Sequence, residues 1–329
     1  MSKIEILKKG TSEIITLDEA SLLLSDSPRA YIGFEPSGLP HIAILMMVKK
    51  INDLVSIGFN VKVLLADWHA QVNDKLNGDL EKIRESGNML KNSMVYAGLS
   101  DKVEFIWASD LVANPDYWAL LLKTAKNSSL LRIRRSLPIM GRTEEDADRD
   151  FSKYIYPLMQ VTDVFYLDSD LAFGGTDQRH AYMLARDIAE KMGRKKPVLL
   201  EMPLISSLKG KGRMDDFKKM SKSDPESALF LTDKEEDIKR KIKNAFCPMG
   251  IIENNPVVDI LRYLIFPFYS QSIAINRGSS HGGPYTIDSV KDLETRYLNS
   301  EIHPMDLKNA LADILTKIIL PISNKLNSD

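Results

Sequence analysis

Short apolar runs alternate with longer amphipathic stretches through the first part of the chain. "AYIGF" (30–34), "VKVLLAD" (61–67), "VEFIWAS" (103–109), "LAFGG" (171–175) and "PVLLEM" (197–202) read as buried strands. Between them, 41–57, 79–98, 114–128 and 176–192 carry apolar residues at helical spacing. The alternation predicts an α/β fold, a Rossmann-like parallel sheet covered by helices, with ligands at the carboxyl ends of the strands. The stretch 110–150 breaks the rhythm with "KTAKNSSLLRIRRS" and the acidic "TEEDADRD", as an insertion between two halves of the sheet does. From Ser206 to Pro225, "SSLKGKGRMDDFKKMSKSDP" is expected to be a mobile, mostly basic loop. "TDKEEDIKRKIKNAF" then predicts a helix with Thr232 and Glu235 at capping-box spacing. Helical patterns continue to the end, broken by "NRGSSHGGPYT". The expected division is a larger domain over 1–230 and a smaller, mainly helical one over 231–329.

With 329 residues, 44% of them hydrophobic, the chain can bury a sizeable core. Lys plus Arg number 44 against 45 Asp plus Glu, and a net charge of −1 excludes a general polyanion binder. Any nucleic acid must therefore be held by local basic patches. The one cysteine, Cys247, excludes an internal disulfide and fits a reducing compartment. Its setting "AFCPMG" has no Cys or His at zinc-ligand spacing, so it reads as a small buried residue, and no protein-held metal is expected. "MSKIEILKKGTSEII" has no apolar core of signal-peptide length, and no apolar run reaches the length of a bilayer. The expectation is a cytoplasmic protein with no membrane partner.

Two segments carry chemistry. "AYIGFEPSGLPHIAILMMVKKINDLV" (30–55) runs as strand, glycine-containing turn and helix start. Gly33 lies at a strand end where a side chain would block close approach of a ligand. Ser37 and Gly38 fall where turn and helix N–H groups can face an anion, and His41 falls in the predicted first helical turn. Alone, the pattern is weak and reads first as a core or capping histidine. The second segment is "KKMSKSDPESALF" (218–230). Its lysines on a flexible loop suit the grip of a triphosphate whose charge shifts during reaction, since lysine is a compact point charge on a long tether. Alone, it equally fits a solvated charge run.

Together the two segments resemble the paired HIGH and KMSKS signatures of class I aminoacyl-tRNA synthetases. "YPLMQVTDVFYLDSDLAFGGTDQRHAYMLAR" (156–186) is similar to the signature of archaeal and eukaryotic tyrosyl-tRNA synthetases. Tyr31-Ile-Gly-Phe-Glu-Pro-Ser-Gly, "LLADWHA" and "HPMDLKNA" (303–310) match the same family, and the likeness runs from about residue 5 to 325 in the family's order. Two departures stand out. Ile44 replaces a second histidine, which the His-Val-Ala-Tyr variant of eukaryotic members also lacks, and Ile44 cannot donate a hydrogen bond. Lys222 stands where relatives often carry serine.

The resemblance implies that the carboxylate of L-tyrosine attacks the α-phosphorus of ATP, and that the tyrosyl group then passes to tRNA(Tyr). It assigns His41, Lys219 and Lys222 to stabilising charge on the phosphate chain, with Mg²⁺ arriving bound to ATP. Gly33, Ser37, Gly38, Gly175 and Asp177, with Met220, Ser221 and Ser223 of the loop, resemble the ATP site. Tyr31 and Asp163 resemble the pair that takes the phenol, while Tyr156, Gln160 and Gln178 resemble the holders of the amino and carboxylate ends. Individually Tyr31 and Tyr156 also fit core aromatics, and Asp163 a helix cap. Arg135 and Arg179 resemble readers of the first acceptor-stem base pair. His281, His303 and Asp306 resemble an anticodon pocket, although Asp306 also fits a helix start and His281 a surface histidine. A homodimer joined through 110–150 is implied. Two other readings remain at this point: a tryptophanyl-tRNA synthetase, and a catalytically silent RNA-binding paralogue.

Overall fold

Each of the five apolar runs forms a strand in the computed structural model, which describes residues 1–210 and 224–328. They are β2 (Arg29–Phe34), β3 (Asn60–Leu65), β4 (Glu104–Trp107), β5 (Leu171–Gly175) and β6 (Val198–Met202), and a short edge strand, β1 (Glu13–Ile15), precedes them. The sheet order is β1-β6-β5-β2-β3-β4. All neighbours are parallel except β1, which runs antiparallel to β6. β6 is buried at every position and β5 at all but the last, which is why they read as continuous apolar runs rather than alternating ones. β2 is central, with β3 on one side and β5 on the other. Successive strands proceed outward from it in one direction and later strands fill the other. The crevice beyond Phe34 and Gly175 is thus the topological switch point where such sheets bind ligands.

The helices follow the spacing closely: Ala43–Ser56, Leu80–Tyr96, Pro115–Asn127 and Arg179–Ala189. The segment 110–150 lies between β4 and β5; it starts in the end of the Ala108–Val112 helix and holds the helices Pro115–Asn127, Leu130–Ser136 and Glu144–Arg149, with a 3₁₀ turn at Leu137–Met140. It leads into the long helix Ser152–Tyr166, whose side chains are buried from Tyr156 to Phe165. One expectation fails locally: the helix after residue 230 starts at Glu235, with Lys234 at its cap and no side-chain cap bond, so Thr232 and Glu235 form no capping box. Asp233 is engaged otherwise, its carboxylate accepting from the Phe230 N–H at 2.9 Å and from Lys241 Nζ at 2.8 Å.

The chain divides into two compact units. The first comprises Met1–Gly38, Lys50–Lys91 and Leu99–Pro203 and holds the sheet; the second comprises Leu39–Lys49, Asn92–Gly98 and Leu204–Asp329. The boundary expected near residue 230 falls inside the second unit. That unit contains the Glu235–Asn244 and Pro304–Leu326 helices and a hairpin of β7 (Ile273–Ile275) and β8 (Tyr285–Ile287). Cys247 is only partly buried, with Sγ 3.0 Å from Tyr297 Oη. Among the described residues, no helix is long and apolar enough to cross a membrane.

Candidate active site

At the switch point the first unit buries a carboxylate against three side chains. Asp163, on the Ser152–Tyr166 helix, is wholly buried. Tyr31 of β2 donates its hydroxyl to Asp163 Oδ2 at 3.3 Å, and Tyr117 of the Pro115–Asn127 helix donates to Oδ1 at 2.7 Å. His69 Nε2 lies 2.9 Å from Oδ2, a charge contact out of line for a full hydrogen bond. Burial and then the charge of Asp163 push the Tyr31 and Tyr117 hydroxyls well above the usual phenol range, so both stay protonated donors. Gly33 makes room for this cluster: a Cβ built there would lie 2.7 Å from Tyr31 Oη. The close approach that excludes a side chain at Gly33 is therefore that of Tyr31 itself.

Along the same helix the residues become amides. Tyr156 packs edge-on to His69, ring centres 5.4 Å apart, and burial followed by the charge of Glu35 drives its hydroxyl well above the usual range. Gln160 Nε2 donates to Gln178 Oε1 at 3.1 Å, and Gln178 Nε2 to the Ile139 carbonyl at 3.1 Å. The helix start is pinned by Lys153, a buried ammonium that reaches Asp74 at 2.6 Å, Asp150 at 2.8 Å and the Val72 carbonyl at 2.5 Å. Glu35, just beyond β2, is held by Asn73 Nδ2 at 2.8 Å. Buried Asn73 also bonds the Met140 carbonyl and Arg142, so all three of these polar groups fix the carboxylate relative to the inserted segment.

The residues assigned to the nucleotide are divided between the two units. Gly175 ends β5, and Asp177 lies in the single turn Thr176–Gln178 that follows. Ser37 Oγ donates to the Glu35 carbonyl at 3.2 Å. Gly38 has φ of 116°, and its N–H is taken by Ser86 Oγ at 2.9 Å, so this amide is not held out for an anion. In the second unit, His41 stands before the helix rather than in its first turn. The helix begins at Ala43, while His41 forms an isolated bridge with Phe230 and its Nδ1 accepts from the Ala43 N–H at 3.4 Å. Proline at 40 and the pairing of Ile42 N–H with the Leu229 carbonyl at 2.9 Å hold this segment extended. Ile44 is buried. Lys219, Met220, Ser221, Lys222 and Ser223 lie outside the described residues.

Of the residues assigned to RNA, Arg135 is exposed on the Leu130–Ser136 helix. Arg179 is engaged by two carboxylates, its Nη1 2.6 Å from Glu13 and 2.9 Å from Glu201. Those glutamates face each other across β1 and β6, so the guanidinium relieves a like-charge cross-strand pair. His303 caps the Pro304–Leu326 helix through Nδ1, 3.2 Å from the Met305 N–H, and Asp306 sits in its first turn. His281 ends the short turn Ser279–His281.

Sequence reasoning passed over His69, Tyr117 and Glu35. His69 stands in the quoted "LLADWHA" and Glu35 in the Gly-Phe-Glu-Pro motif, so both signals were present without a role. Tyr117 sits among apolar helix positions, and nothing local marks it as polar machinery.

Comparison with known proteins agrees with this arrangement. The family described as tRNA synthetases class I (W and Y) matches residues 25–319, and the chain belongs to that family. A tyrosine--tRNA ligase of Picrophilus torridus is 62% identical over 330 residues, covering 100% of both chains. The crystal structure of tyrosyl-tRNA synthetase from Aeropyrum pernix matches with a TM-score of 0.89 at 42% identity, covering 99% of this chain and 94% of that one. The Archaeoglobus fulgidus tyrosyl-tRNA synthetase complexed with L-tyrosine matches with a TM-score of 0.89 at 36% identity, covering 98% of each.

Proposed function

We propose that the chain is a tyrosine--tRNA ligase that activates L-tyrosine with ATP and transfers it to tRNA(Tyr). In the first step a tyrosine carboxylate oxygen bonds to the α-phosphorus and the bond to pyrophosphate breaks. In the second a ribose hydroxyl at the tRNA end attacks the acyl carbon and AMP leaves. The nucleophile belongs to the substrate in both steps, so the protein contributes positioning and charge stabilisation. The observation that carries the reading is the enclosed Asp163 carboxylate with Tyr31 against it, which suits a phenol hydroxyl that both donates and accepts. Phenylalanine would leave these groups unpaired, at about 1–3 kcal/mol for each. An indole has one N–H and no hydroxyl, which disfavours tryptophan.

In this reading Gln160, Gln178, Tyr156 and Glu35 hold the amino and carboxylate ends. His41 and the lysines Lys219 and Lys222 stabilise charge on the phosphates, and Gly33, Ser37, Gly175 and Asp177 serve the nucleotide. Mg²⁺ enters on ATP, since this ion is commonly carried by substrate phosphates. Arg135 and Arg179 would meet the acceptor stem, Arg179 by exchanging Glu13 for RNA, while His281, His303 and Asp306 would meet the anticodon. The protein works in the cytoplasm as a homodimer. The test is ATP–pyrophosphate exchange: tyrosine supports it and tryptophan does not. Exchange that followed tryptophan, or none with any amino acid, would refute the reading.

A further inference from the structure

We propose that His69 is a positioning residue for amino-acid selection, holding Asp163 so that this carboxylate meets the substrate's phenol hydroxyl. The inference rests on the tyrosine-site reading above and deepens it. Asp163 has three polar neighbours among the described residues: the hydroxyls of Tyr31 and Tyr117, and His69. Among the described residues His69 is the one basic group in ion-pair distance, and the residue is 2% exposed. An isolated buried carboxylate is unfavourable without an opposite charge or enough donors. Tyr117 occupies Oδ1 at 2.7 Å, leaving Oδ2 to Tyr31 at 3.3 Å and His69 at 2.9 Å. That longer Tyr31 contact is the one an incoming hydroxyl can share or replace, whereas removing His69 would free Oδ2 to turn.

The groups facing the imidazole come from every side of it. Asp163 and Tyr156 lie on the Ser152–Tyr166 helix, Asp67 on its own helix, and Glu35 beyond β2. Burial alone lowers the basicity of His69, but Asp163, Glu35 and Asp67 outweigh it and raise the pKa above the ordinary value. The charged form therefore persists below that raised pKa and is lost as pH climbs through it. Nδ1 is buried and has no hydrogen-bond partner among the described residues, where the ring is held by Asp163 and by packing against Tyr156.

The experiment compares the unaltered chain with His69→Gln, which keeps one donor near Nε2, and His69→Leu, which keeps none. ATP–pyrophosphate exchange is measured with tyrosine and with phenylalanine across pH 6 to 9. The Leu variant is expected to raise KM for tyrosine about tenfold or more with kcat nearly unchanged, and to leave phenylalanine kinetics as they were. Discrimination then falls by the same factor. The Gln variant recovers part of that loss but lacks the high-pH decline in kcat/KM for tyrosine that the unaltered chain shows. A folded Leu variant with an unchanged tyrosine-to-phenylalanine ratio overturns the role of His69 alone. So does a Gln variant that retains the high-pH limb, which decides the matter if the Leu variant does not fold. An unaltered chain with no tyrosine-dependent exchange overturns the site reading and this inference together.

Discussion

At the scale of the residue, Gly33 and Tyr31 are coupled by simple exclusion. A Cβ at position 33 meets Tyr31 Oη at 2.7 Å, and the next nearest atom, Cζ, at 3.4 Å. Gly33→Ala must therefore displace the hydroxyl that reaches Asp163, an overpacking change of about 1–3 kcal/mol. Tyr31→Phe deletes the clashing oxygen and leaves only an ordinary contact. In a double-mutant cycle followed by urea unfolding, Gly33→Ala is expected to destabilise the unaltered chain clearly and the Tyr31→Phe background by less than about half as much. Equal costs in the two backgrounds would mean that the clash is relieved elsewhere. The same substitution should reduce tyrosine binding more than its stability cost explains, because the displaced group is the one assigned to the phenol.

At the scale of the element, the helix Ala43–Ser56 is tied to the N-terminal helix Lys3–Lys8 by one buried ammonium. Lys50 Nζ reaches the carbonyls of Ile6 at 3.0 Å, Leu7 at 2.8 Å and Lys9 at 2.8 Å, where that helix runs out of its own donors. Burial, helped by nearby Lys9 and opposed by Asp53, lowers the Lys50 pKa from the ordinary 10.5 to about 7. Between those two pH values the unfolded chain binds the proton and the folded chain does not, so this group makes stability rise with pH across that window. Lys50→Met should flatten the rise in urea-unfolding stability between pH 7 and 10. It should also lower the protection of amides in residues 3–9 against hydrogen exchange, because three carbonyls lose their donor. An unchanged pH slope would show that Lys50 titrates normally.

How much of this was legible in the sequence follows from what each feature depends on. The five main strands and the helices between them announce themselves by periodicity, which is a local property of the chain. β1 does not, because three residues on a sheet edge carry no period, and Glu13 is explained only by Glu201 and Arg179. The Tyr31–Asp163 contact spans 132 positions and was accessible only through likeness to a family. Tyr117 was missed because its neighbours Leu120 and Leu121 make its helix look like plain core, and His69 because nothing local pairs it with a carboxylate. The His41 helix start was misplaced because a proline and a bridge to Phe230, also remote in sequence, keep the chain extended there.

At the scale of the molecule, the Pro115–Asn127 helix has two faces with different jobs. Tyr117, Leu120, Leu121 and Thr124 are buried, and Tyr117 holds Asp163. Trp118 and Leu122, one helical turn apart, are 43% and 68% exposed, and Leu130 and Leu131 at the start of the next helix are 52% and 60% exposed. Four large apolar side chains exposed within one fourteen-residue stretch make this stretch a candidate association surface. A second copy of the chain is the occupant that the homodimer reading requires, so the dimer contact would lie on the back of a pocket helix. Leu122→Asp with Leu131→Asp is expected to shift the sedimentation coefficient from dimer to monomer at micromolar concentration. Because loosening the outer face frees the helix that carries Tyr117, the monomer should also bind tyrosine more weakly, with a melting temperature several degrees lower. Tyr117→Phe separates the two effects: it should weaken tyrosine binding while leaving the dimer intact. A double variant that dissociates yet binds tyrosine as the unaltered chain does would show that the pocket is self-sufficient in one copy, and an unaltered chain that sediments as a monomer would remove the second copy from that face altogether.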